Sequence, residues 1–222
     1  MLNRSIALFV CCSMFVAAVT FGQTPLFKSK NLADWGFYVD KDGVKVEDVF
    51  SFSENGILVC KGQPFGYLCT KEPYKNFKLS LQWRWPEGEK PTNSGVFLKI
   101  TEQPKDSFLP KTVEVQLAHK SAGDLWGFHG RRLTGSPDRF VERDGNEKTG
   151  KTNGVKKILD QEKEPGQWNA MDILCDGGLI VVVVNGKIVN WTTGAEPIEG
   201  RIGLQSEGGP IEFRFATLTV LP

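Results

Sequence analysis

The run Val113–His119, reading VEVQLAH, sets a carboxylate and a carboxamide two residues apart, Glu114 and Gln116, between the apolar Val113, Val115 and Leu117. In an extended chain alternate side chains point to opposite faces, so this spacing puts both polar groups on the face turned away from the buried one. Sugar hydroxyls donate and accept hydrogen bonds at once, and a carboxylate beside a carboxamide meets both demands. The same phase holds for Gln82 and Arg84 in FKLSLQWRW and for Gln205 and Glu207 in RIGLQSEG. If the three strands neighbour one another in one sheet, six polar side chains line one surface, with Phe97 beside them. Taken singly, each pair is also what a solvated strand face looks like.

The chain's two histidines, His119 and His129, follow this strand, with Asp124 between them. His119 stands past the end of the apolar alternation, and an imidazole exchanges protons near neutral pH. Glu114 and His119 are therefore the candidate proton-transfer residues. Asp124 and His129 are candidate ligands for a divalent metal on residue type alone, because their spacing is neither helix-like nor CxxC-like. No other cofactor is indicated, and the sequence contains no GxSxG, no HExxH and no phosphate-binding glycine loop.

Positioning such groups requires strands, and the chain reads as strands nearly throughout. Short alternating runs between turn signals occupy 57–61, 66–70, 77–85, 94–100, 112–118, 168–175, 179–184, 187–191, 201–205 and 211–220. The turn KGQPFG reads as the tip of a hairpin joining the first two, and Asn185-Gly186 as the tip of another. Val181–Val184 is apolar on both faces, which predicts a central strand. Trp83, in phase with Phe77, Leu79 and Leu81, is assigned to the core, and so is Trp168. Residues 119–167, rich in Gly, Lys, Asp and Asn, read as one long irregular insertion. An all-β fold of antiparallel sheets packed as a sandwich follows, in one domain over 23–222.

Met1–Gly22 carries one basic residue, an apolar run from Ile6 to Val19 and a small-x-small ending at Thr20–Phe21–Gly22, the pattern of a cleaved export signal. The run is about 14 residues, short of the ~20 that span a bilayer, so no membrane span is expected and the protein is read as secreted or periplasmic. A net charge of +1, with the charges scattered, gives no footprint for nucleic acid. Cys60 and Cys69 flank KGQPFG on either side, compatible with a disulfide or with two inward thiols; Cys175 makes the mature count odd.

Eight segments in order carry a family resemblance: LFKSKNLADW, PFGYLCTKEPYKNFKLSLQWRW, NSGVFLKI, VEVQLAH, AGDLW, GQWNAMDI, VNGK and GRIGLQSEGGPIEFR. Together they resemble the 3-keto-disaccharide hydrolase family, exported bacterial proteins with a concanavalin A-like, jelly-roll β-sandwich. Gln82 stands where that family often has a carboxylate. The resemblance implies a carbohydrate substrate and adds Asn93 of NSGVFLKI to the substrate-binding candidates Gln82, Arg84, Gln116, Gln205 and Glu207. The retaining glucanases of the same fold carry two carboxylates on one strand. Here Glu114 fits the first place, but His119 stands where the second would fall. A 3-keto sugar offers another route, because its carbonyl acidifies the proton on C2. A base, an enolate stabiliser such as Arg84 or a metal near Asp124, and an acid for the leaving oxygen would then suffice. A non-catalytic glycan-binding module and a structural cell-surface protein are the alternatives, and the oligomeric state is open.

Overall fold

The structure, a computed structural model, describes residues 22–105 and 107–222, so the expected export signal lies outside the described residues except at Gly22. Two eight-stranded antiparallel sheets face each other. The first runs β14 (Lys187–Thr192), β13 (Leu179–Val184), β12 (Asn169–Asp176), β6 (Phe77–Arg84), β16 (Ile211–Val220), β4 (Leu58–Cys60) and β3 (Phe50–Phe52), with β1 (Gln23–Pro25) also on β16. The second runs β10 (Phe140–Arg143), β11 (Thr152–Val155), β9 (Leu125–Gly127), β8 (Lys111–Gln116), β7 (Gly95–Glu102), β15 (Arg201–Ser206), β5 (Gly66–Thr70) and β2 (Trp35–Val39).

Period-two patterning explains the packing. On β6 the burial alternates strictly, with Phe77, Leu79, Leu81 and Trp83 turned inward. They meet Val96 and Leu98 of β7 and Val113 and Val115 of β8 from the facing sheet in one apolar core. Sheets stacked this way lie about 10 Å apart, with both inner faces dry. The second sheet differs in burying much of its outer face as well. Tyr67, Cys69, Phe97, Ile100 and Leu109 form a second apolar cluster there, with Tyr38, Phe108 and Phe128 packed against it. Tyr67 stacks on Tyr38 and meets Phe97 edge-on. That outer cluster is why every residue of β5 is buried.

Several expectations are corrected. β4 and β5 are not a hairpin: β4 belongs to the first sheet and β5 to the second, so KGQPFG carries the chain across the sandwich. Cys60 and Cys69 therefore sit in different layers, and Cys60, Cys69 and Cys175 are all buried free thiols. Burial pushes the Cys60 thiol up to about 11 and that of Cys175 up to about 12, which keeps both protonated and unreactive. β13 lies second from the sheet edge rather than at the centre. Residues 119–167 are not one irregular insertion, since they contain β9, β10 and β11, which extend the second sheet by three strands. Trp83 is in the core as expected, but Trp168 is only half-buried. It lies in phase with the outward Ala170, under the guanidinium groups of Arg84 (4.5 Å) and Arg214 (4.0 Å).

Candidate active site

Glu114 stands at the middle of β8 on the outer face of the second sheet, flanked in register by Phe97 of β7 and Trp126 of β9. It is 2 % exposed. Two register places along, Gly95 pairs with Gln116, and the carboxyl of Glu114 leans over Gly95: a Cβ there would lie 2.1 Å from Oε1. Glycine at 95 is thus what gives the carboxyl room. The neighbouring strand β15 brings Gln205 to the same face, 2 % exposed, and the chain then turns through Glu207, which forms an isolated antiparallel bridge with Asn93. Five of the residues singled out from the sequence, Asn93, Glu114, Gln116, Gln205 and Glu207, therefore converge.

Their hydrogen bonding is incomplete in an informative way. Gln205 Nε2 donates to Glu207 Oε2 at 2.6 Å, and Asn93 also bonds that carboxylate. Gln116 accepts at Oε1 from the backbone N–H groups of Leu117 and Ala118, which turns its Nε2 toward Glu114 Oε2 at 3.5 Å. The buried acceptors Gln205 Oε1 and Asn93 Oδ1 have no partner among the described residues. An unmatched buried acceptor costs about 1–3 kcal/mol, so such atoms mark places where an outside donor is expected.

Electrostatics separates the two carboxyls. Burial, and after it the neighbouring Glu207 carboxylate, holds the Glu114 carboxyl well above the usual carboxylate range. Glu207 is also raised by burial, but the hydrogen bonds from Asn93 and Gln205 favour its ionised form and oppose that rise. Both carboxyls are thus raised, but Glu114 more strongly favours its proton while Glu207 more readily carries charge. Two carboxyls in environments that differ in this way are what acid–base chemistry requires. The second carboxyl comes from the end of β15, two strands away across β7, where the in-strand spacing of the glucanases could not point to it.

The remaining candidates lie elsewhere. Gln82 and Arg84 are on the outer face of the first sheet, with the whole core between them and Glu114. There Arg84 Nε donates to Glu212 Oε2 at 2.5 Å, and Gln82 Oε1 accepts from Arg214 Nε at 2.8 Å. The six-residue surface expected from the three strands is thus divided between two opposite faces. His119, in phase with the core-facing Leu117, pairs through Nδ1 with Glu162 Oε1 at 3.1 Å, and Glu162 also accepts from Trp85 Nε1. It does not converge on Glu114. Asp124 is committed to Lys156 Nζ at 2.7 Å and to the Lys157 backbone at 2.8 Å, and His129 Nε2 lies 3.1 Å from Ser107 Oγ. The described residues contain no group of three His, Cys, Asp or Glu side chains placed to hold a metal ion.

Trp126 is the residue that sequence reasoning missed. Its ring packs down on Gly154, and Arg143 and Lys156 lie over it at 4.7 and 4.6 Å. Beside it opens a cleft of about 520 Å³ lined by Gln116, Asn146, Thr149, Thr152 and the same two cations. The signal was present in the Leu125–Trp126 alternation of DLWG, but three residues are too few to read a period.

Buried carboxyls and amide acceptors without a partner among the described residues stand beside an aromatic-lined cleft, a few convergent polar groups at a pocket as in a ligand site. A family model described as the 3-keto-alpha-glucoside-1,2-lyase-like domain matches residues 22–219, and the chain belongs to that family. Among solved structures it is similar to two glycosyl hydrolase candidates from Parabacteroides distasonis. One shares 26% identity over 90% of this chain and 100% of its own, with a TM-score of 0.61. The other shares 20% over 90% and 95%, with a TM-score of 0.62. The β-glucanase of Bacillus licheniformis shares the fold at 11% identity over 91% of this chain and 98% of its own, with a TM-score of 0.55. No curated protein matches the chain in sequence.

Proposed function

We propose that this protein is an exported enzyme that cleaves 3-keto-glycosides by elimination, with Glu207 as base and Glu114 as acid. The observation that carries the reading is the pair itself: a fully buried, proton-holding carboxyl with a second, amide-supported carboxylate on the same face. With a carbonyl at C3, the C2–H bond is weak enough for a carboxylate to break. The proton passes to Glu207, and the electron pair forms the C1–C2 double bond. The C1–O bond breaks, and the leaving oxygen takes the proton of Glu114. Water adding back across the double bond gives net hydrolysis. Asn93 Oδ1 and Gln205 Oε1 supply acceptors for the sugar's hydroxyls. The family match and the likeness to the Parabacteroides glycosyl hydrolase candidates support a glycoside as substrate. The leader-like composition of Met1–Gly22 supports export.

The test is to incubate the purified protein with a panel of 3-keto-glucosides and follow aglycone release. The second reading is a non-catalytic glycan-binding module, favoured by the unmatched amide acceptors. It predicts saturable binding of the same glycosides without release.

A further inference from the structure

Glu114 lies between two different neighbourhoods on the outer face. Across β7 and β15 lie Asn93, Gln205 and Glu207; across β9, β11 and β10 lie Trp126 and the cleft. In the reading above, on which this inference rests, the base attacks the keto ring and Glu114 protonates the leaving oxygen. The keto ring then sits toward Glu207, and the leaving group extends over the Trp126 cleft.

That cleft is cationic. Lys156 is balanced by the buried Asp124, to which it is bonded at 2.7 Å. Arg143 is exposed and forms no ion pair among the described residues, and its guanidinium carbon lies over the Trp126 ring, 4.7 Å from the centroid. Two like charges over one indole repel each other, and the Arg143 N–H donors have no hydrogen-bond acceptor among the described residues. A guanidinium, a planar fork of N–H donors, suits an oxyanion with two or more oxygens. Asn146, Thr149 and Thr152 add neutral polar groups around it. A neutral aglycone would need none of this charge.

We infer that the Trp126 cleft binds an oxyanion on the leaving group, the carboxylate of a uronic acid or a sugar sulfate, with Arg143 as the specificity-determining contact. The two sources share one chemistry and are separable by experiment. Binding of a glucuronosyl-glucose disaccharide, a 6-sulfated cellobiose and plain cellobiose would be measured by titration calorimetry, with the wild-type protein and with Arg143→Gln. An anionic disaccharide is expected to bind about tenfold more tightly than cellobiose, the scale of one charge-assisted contact, with the advantage shrinking as salt is added. Preference for only one of the two anions identifies the source. Arg143→Gln should remove the advantage of the anionic disaccharides over cellobiose. Equal affinity for all three sugars, no binding of either anion, or an advantage that survives Arg143→Gln would overturn the inference. Aglycone release from a neutral 3-keto-glucoside is read separately, so a failed oxyanion site and a failed catalytic assignment give different results.

Discussion

The carboxyl of Glu114 occupies the space that a side chain at position 95 would fill, with Oε1 2.1 Å and Cδ 2.8 Å from where a Cβ of residue 95 would stand. Both residues lie on the outer face of the second sheet, Gly95 on β7 and Glu114 on β8, two register places apart. Gly95→Ala should therefore push the carboxyl out of its pocket. The expected outcome is a folded protein, destabilised by about 1–3 kcal/mol as for other overpacked sites, with aglycone release down a hundredfold or more, about the loss of an acid–base group. Circular dichroism and a turnover assay on the same sample check both halves.

Stability should depend on pH through the same residue. The Glu114 pKa is raised in the folded state, so the native protein holds a proton that the unfolded chain has released. Stability is then greatest below the unfolded value of about 4.3 and falls as pH climbs from there through the folded value. Glu207, also raised, acts in the same direction. Glu114→Gln, neutral at every pH, should melt above the wild type at about pH 8, with the gap closing toward about pH 4. Melting curves across that range decide it; a gap that widens on acidification would mean the carboxyl is ionised when folded.

His119 is expected to be a structural residue. Glu162 collects hydrogen bonds from Trp85 Nε1 at 2.8 Å and from the Lys120 backbone at 2.6 Å besides its pairing with His119, tying the loop before β12 to the end of the sandwich. His119→Ala removes one of the three and should cost about 1 kcal/mol, visible as a lower Tm, with turnover within about threefold of wild type. A hundredfold fall in turnover at unchanged Tm would return His119 to the chemistry.

Arg84 provides the control on the opposite face. Arg84→Ala loses the ion pair with Glu212 and the stacking on Trp168, together about 0.5–2 kcal/mol, and should leave turnover unchanged. Urea unfolding and the release assay read the two effects separately.

The placement of Arg84 marks the limit of what alternation reveals. Period two says which side chains on one strand share a face, and it orients Gln82 with Arg84, Glu114 with Gln116, and Gln205 with Glu207 as the structure has them. It carries no information about which strands share a sheet, a matter of long-range pairing. β6 joins β12 and β16 in one layer, while β8 joins β7 and β9 in the other. The same gap made a hairpin of β4 and β5, whose Cys60 and Cys69 are in different layers. The strands in 119–167 escaped because β9 to β11 are only three or four residues long and sit among turn-forming residues. Trp126 and Arg143 escaped with them. Glu207, by contrast, was legible as a polar residue in phase with Gln205; its partnership with Glu114 was not, because it arises across two strands.

The most direct measurement is aglycone release from one 3-keto-glucoside by wild type, Glu114→Gln and Glu207→Gln, with binding of the glycoside followed in parallel. The Glu114–Glu207 assignment predicts release by the wild type and a fall of about a hundredfold to ten-thousandfold in either variant, with each still binding. Wild-type release that survives in both variants, or binding without any release, would contradict it.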